Sequence, residues 1–194
     1  QIFRSRFGQV ITWVVLGIMV LALWASIEEA GFWGFAQSLA PVGLCLLLTW
    51  AGFYNPKIAV GEGKVRLVNV FRTIEIPLGA ISRIDTRWAL TLYCGEKRYT
   101  AWGATAPGRH TSFFATKDQG SHLPESTYLA GTVRPGDLIG SESGAPAAYI
   151  RRLWENLRDV SGNFPSVSEP VVITWHRSTL IAFLLLTGLS VVVL

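Results

Sequence analysis

The chain has 194 residues, of which 50% are hydrophobic and only 15% charged, with a net charge of +4. Soluble domains average about 25% charged residues, so much of this chain is not built to face water. The positive excess is small and spread out, with no Lys/Arg-rich block and no nucleic-acid reading motif, which excludes a nucleic-acid binder.

In chain order, the first features are two uncharged apolar runs, residues 7–27 and 30–54. Each is long enough to cross a ~30 Å hydrocarbon core, which takes about 20 helical residues. Glu28 and Glu29 separate them, so residues 1–54 are expected to form a transmembrane hairpin with a very short turn. No small-x-small cleavage signature comes after the first run, which is therefore expected to be a retained anchor. Pro41 is placed to kink the second run. Ala36 and Ala40 have the spacing of a small-xxx-small pair, although alanine is common in spans anyway. Neither run holds an ionisable residue at its middle, which argues against a channel or transporter.

Residues 58–102 alternate with period two. Val65 and Leu67 alternate with Arg66 and Val68, Ile74 and Ile76 with Thr73 and Glu75, and Leu90 and Leu92 with Thr91 and Tyr93. This pattern predicts short, half-buried antiparallel strands. Turns are expected at residues 61–63 and 94–96, and Pro77 to Ala80 should interrupt the sheet before a strand that begins at Ile81. Residues 103–145 contain seven glycines and little periodicity. Structureless loops beyond ~12–15 residues are uncommon inside compact domains. We expect an extended arm here, with Phe113, Phe114, Tyr128, Leu129, Leu138 and Ile139 as candidate partner-binding anchors. Over residues 146–160, Ile150, Leu153, Trp154 and Leu157 recur at helical spacing, predicting one amphipathic helix that starts near Pro146. Residues 161–177 read as a linker. Residues 178–194 form a third uncharged run, expected to start somewhat earlier and to continue past Leu194 as a third transmembrane helix. Because the sequence begins at Gln1, it is expected to be part of a longer protein.

Basic residues near span ends mark the cytoplasmic side. Arg4, Arg6, Lys57, Lys64, Arg66 and Arg177 set the topology: N-terminus and central domain inside, C-terminus outside. The expected localisation is a multi-pass protein of the plasma membrane. Trp24 and Trp33 would mark the outer interface, and Trp50, Tyr54, Lys57, Trp175 and Arg177 the inner one.

Chemistry is hard to find. His110, His122 and His176 form no metal-ligand spacing, and His176 at a membrane interface suggests a headgroup contact. Cys45 and Cys94 lie in different environments and form no CxxC. There is no GxSxG and no phosphate-binding glycine loop. No catalytic, cofactor-binding or metal-binding residue is therefore assigned, no cofactor is expected, and an enzyme is not expected.

One stretch carries a resemblance. Val65, Asn69, Arg72, Ile76 and Pro77 fit a V-x-x-x-N-x-x-R-x-x-x-I-P pattern, continued by Ile81 and Ile84 and closed by Thr100 to Pro107. This resembles the actinobacterial membrane-anchored pleckstrin-homology-like (PH-like) family related to low molecular weight protein antigen 6. The resemblance covers residues 10–107 and implies a two-helix membrane hairpin followed by a PH-like antiparallel sheet or half-barrel with a C-terminal helix. The arm and the third span depart from the family's short form. The resulting expectation is a membrane α plus β protein, with residues 55–160 a cytoplasmic PH-like domain. It would act as a non-enzymatic accessory or assembly subunit bound to other integral membrane proteins as a hetero-oligomer. By resemblance, candidate hosts are an actinobacterial respiratory supercomplex or cell-envelope machinery. The alternative is an anionic-lipid-binding or lipid-sensing module. Against a specific lipid site, the first hairpin turn, residues 61–64, offers one base and one acid.

Overall fold

In a computed structural model, the protein combines a long N-terminal apolar helix, two antiparallel sheets and a C-terminal apolar helix. The structure describes residues 1–61, 63–106, 141–161 (side chains to residue 157) and 169–193.

The apolar helix α1 (Arg6–Thr49) is capped by Ser5, whose hydroxyl accepts from the Gly8 amide at 2.9 Å. It runs into a π-type turn over Trp50–Tyr54. Residues 6–54 are long and apolar enough to cross a membrane. The helical dihedrals break at Gly31, not at Pro41, with φ +60° and ψ −147°. A side chain would strain that conformation, so glycine suits it. Ser38 Oγ donates to Ser26 Oγ at 2.8 Å, whereas an unbroken helix would hold those residues ~18 Å apart. Gly8, in the first turn of α1, lies against the carbonyl of Phe53 in the π turn beyond its other end. Helix α1 and the π turn together, residues 6–54, therefore double back at Gly31 into two limbs of about 24 residues, ~36 Å each. The close approach beside the break is made by Gly34 and Ser38 against Ser26, rather than by the Ala36/Ala40 pair alone: a Cβ on Gly34 would sit 2.5 Å from the Ser26 carbonyl oxygen.

Beyond Pro56 the chain alternates as its sequence pattern requires. Strands β2 (Lys57–Gly61), β3 (Lys64–Val68) and β4 (Arg72–Pro77) form the centre of one sheet. Strands β5 (Arg83–Asp85), β6 (Ala89–Cys94) and β7 (Lys97–Thr105) form the other. Gly63 and Gly95 adopt positive φ, 74° and 59°, at the hairpin turns. A 3-10 turn at Leu78–Ala80 stands where the proline interrupts the sheet. The strand after it starts at Arg83, two residues later than the sequence suggested.

Two elements were not expected. Residues Ile2–Arg4 form β1, paired antiparallel with β2. Residues Val172–Trp175, read as linker, form β8, paired with β4 in the register Arg72↔Trp175 and Glu75↔Val172. The first sheet thus has the order β1-β2-β3-β4-β8. Helix α2 (Gly144–Ser161) starts two residues before Pro146 and packs on the 3-10 turn, β5 and β6. Strand β7 reaches Thr105 and α2 opens at Gly144, so ordered elements enter both ends of the expected arm.

The core lies between the two sheets and α2. Ile58, Leu67 and Ile74 come from the first sheet, Leu90 and Leu92 from the second, and Ile150 from the helix, each at most 2% exposed. Trp154 packs against this cluster and its Nε1 donates to the Ile81 carbonyl at 3.0 Å. Leu157, expected on the same face, is exposed. Helix α3 (Arg177–Val193) lies along α1, with Leu186 beside Gly43 and the Phe183 ring 6.2 Å from Phe71.

Candidate functional site at the sheet–helix junction

Directly opposed residues of an antiparallel pair point to the same face. With Ile58, Leu67 and Ile74 facing the core, the outer face of the first sheet carries two rows. One row is Lys57, Val68, Thr73 and Thr174; the other is Ala59, Arg66, Glu75 and Val172. The start of α3 and the π turn that follows α1 close over part of this face. Between them lies a cleft of about 1020 Å³, whose lining includes Trp50, Lys57, Arg66, Glu75, His176 and Arg177.

The charges in the cleft are unequal. Arg66 and Glu75 form an ion pair at 2.7 Å. Lys57 and Arg177 add two further cations, and among the described residues neither has a carboxylate within ion-pair distance. Three cations face one carboxylate, so the cleft is suited to an anion. His176 is fixed at its edge. Its backbone N–H donates to the Phe71 carbonyl at 2.8 Å, and its Nε2 lies 2.8 Å from Thr73 Oγ1. Its ring is thus tied to Thr73 while still lining the cleft. Arg72 stacks over Trp175 at 5.8 Å.

A second cleft, about 420 Å³, is mainly apolar and lies between the start of α1, the π turn and β7. Trp102 Nε1 crosses from β7 to donate to the Gly52 carbonyl at 2.9 Å. Asn69 braces the same strand, accepting from the Trp102 amide at 2.8 Å and donating to the Thr100 carbonyl at 2.9 Å. Among the described residues no group of three or more His, Cys, Asp or Glu could hold a metal ion. Burial pushes the Cys94 thiol above the ordinary cysteine range.

The expected interface residues divide in two. Trp24 and Trp33, both largely exposed, flank the reversal at Gly31. Trp50, Lys57, Trp175 and Arg177 come together in the cationic cleft at the opposite end of α1. Tyr54 is not in its lining and instead sits under Arg4, 5.9 Å from the guanidinium. The candidate anchors Phe113, Phe114, Tyr128, Leu129, Leu138 and Ile139 lie outside the described residues, as do His110 and His122. Arg66, read from the sequence as a topology charge, and Glu75, given no role there, share this cleft. The period-two alternation marks them as outer-face residues, but nothing local shows that α3 folds over that face. No family model, curated protein or solved structure matches the chain.

Proposed function

We propose that the chain is a non-enzymatic integral membrane module, a fixed accessory or assembly subunit that presents a PH-like domain to partner proteins of a larger membrane complex. The observation that carries this reading is how the sheet is joined to the apolar helices. Only Ser5 separates β1 from α1, Asn55 and Pro56 separate the π turn from β2, and His176 alone separates β8 from α3. Flexible tethering needs linkers of many residues; joints this short transmit orientation. Side chains brace them further: Ser5 Oγ donates to Glu142 Oε1 at 2.6 Å, and Trp102 bonds the π turn. A domain held at three points suits a permanent subunit better than a recruiter that swings free.

Both limbs of α1 are apolar on all sides, as expected of helices whose surroundings are lipid or other helices. In this reading they form a membrane hairpin with α3 alongside, the sheets lie on the cytoplasmic side, and the reversal at Gly31 lies outside. The layer architecture, two antiparallel sheets and one closing helix, is compatible with the PH-like resemblance of residues 65–77. That resemblance also suggests the hosts, respiratory or cell-envelope assemblies.

The test is solubilisation in mild detergent, affinity capture of the full chain and mass spectrometry of the proteins that co-purify with it. Stoichiometric integral membrane partners are expected. A chain that migrates alone at every detergent strength would refute the reading.

A further inference from the structure

We infer that the cationic cleft is a binding site for a phosphate-bearing anion, with the head group of an anionic lipid as its source. The cleft lies where the apolar helices end, and a lipid phosphate sits at that level when residues 7–54 are embedded. Its volume, about 1020 Å³, is at the upper end of the ~300–1,000 Å³ typical of small-molecule sites. Lys57 and Arg177 supply positive charge that no described carboxylate neutralises. Arg66 is held in place by Glu75 and keeps its remaining donors for a ligand. Ser178 and Thr179 contribute hydroxyls, and they belong to the first turn of α3, whose ladder begins only with Leu180 donating to His176. Amides before that point lack a carbonyl partner in the helix. Trp50 and Trp175 stand at the cleft, as tryptophans do at the headgroup level of membranes. Cations from the start of β2, the middle of β3 and the start of α3 thus converge around one volume. Basic pockets beside transmembrane helices bind anionic head groups in this way. The inference goes beyond the proposed function and does not need a protein partner: a chain that migrates alone can still retain the lipid.

Native mass spectrometry of the full chain in mild non-ionic detergent tests it. The chain is titrated with short-chain phosphatidylglycerol, phosphatidylcholine of the same chain length, and glycerol 3-phosphate. One saturable phosphatidylglycerol is expected, with phosphatidylcholine at least about tenfold weaker. Lys57→Gln and Arg177→Gln should each weaken binding about fivefold, and together about 25-fold. Lys57→Arg should bind within about twofold of wild type, which separates lost charge from lost fold. Lys97→Gln, at the start of β7 in the other sheet and outside the cleft lining, should change nothing. Glycerol 3-phosphate binding as tightly as the lipid would uphold the site and assign it to a soluble phosphate ester. Equal retention of the two lipids would overturn the inference. So would wild-type binding by the double variant, or a loss in Lys97→Gln as large as in Lys57→Gln.

Discussion

The two halves of this molecule use the same side chains in opposite ways. In the sheet domain Leu67, Ile74 and Leu92 are 0% exposed. In the helices Phe32 is 82% exposed, Leu184 67% and Val192 82%. The domain folds by removing apolar surface from water, the ordinary driving force. The helices leave theirs uncovered and meet at small residues: Gly8 against Phe53, Gly34 and Ser38 against Ser26, Gly43 beside Leu186. In the proposed membrane setting, where burial from water no longer drives association, contacts through small residues are what remains. One chain therefore obeys two rules of packing, and the joints between the two regions are one or two residues long.

The largest expected effect separates the rules directly. Ile74→Ala should destabilise the sheet domain by about 2–5 kcal/mol. Leu184→Ala, which removes a comparable side chain from the surface of α3, should change stability in detergent by less than about 0.5 kcal/mol. Denaturant titration followed by near-ultraviolet circular dichroism measures both. Equal losses would erase the distinction.

A smaller effect sharpens the second rule. A Cβ at Gly8 would run into the Phe53 carbonyl oxygen, whereas Gly17 has nothing within 4 Å. Gly8→Val should therefore cost about 1–3 kcal/mol through overpacking. Gly17→Ala should be neutral or stabilising by up to ~1 kcal/mol through helix propensity. Thermal melts of the two variants in the same detergent decide it.

The smallest effect concerns Cys94, partly buried beside the domain core. Burial holds its thiol above the ordinary range, so the folded chain keeps the proton longer than the unfolded one. Its contribution to stability is complete below the unfolded value, about 8.5, and is lost as pH rises through the folded value. Peptide-mapped iodoacetamide labelling at pH 8 should be slower at Cys94 in the folded chain than in urea. Equal rates would mean that the thiol is not shielded.

Much of this was legible locally. The three apolar runs, the β2 to β4 alternation and the α2 face are short-range patterns, and each appears close to its expected position. The reversal falls at Gly31, two residues after the acidic pair that marked it. Strand β1 was not legible because its three residues are too few to carry a period and run straight into the helix. Strand β8 was hidden in the linker because all four of its residues are exposed, so no alternation of burial shaped its sequence.

Composition and periodicity alone determined that this chain pairs uncharged helices with a small antiparallel domain, because both properties are written in neighbouring residues. Only the tertiary structure decided how the two are joined and what the joint contains. Strand pairing brings residue 4 to residue 57 and residue 72 to residue 175, and such long-range closures leave no mark on either segment taken alone. The cleft is their product. Lys57, Arg66 and Arg177 are ordinary as separate charges, and they share one volume only because β8 delivers the start of α3 across the outer face of the sheet.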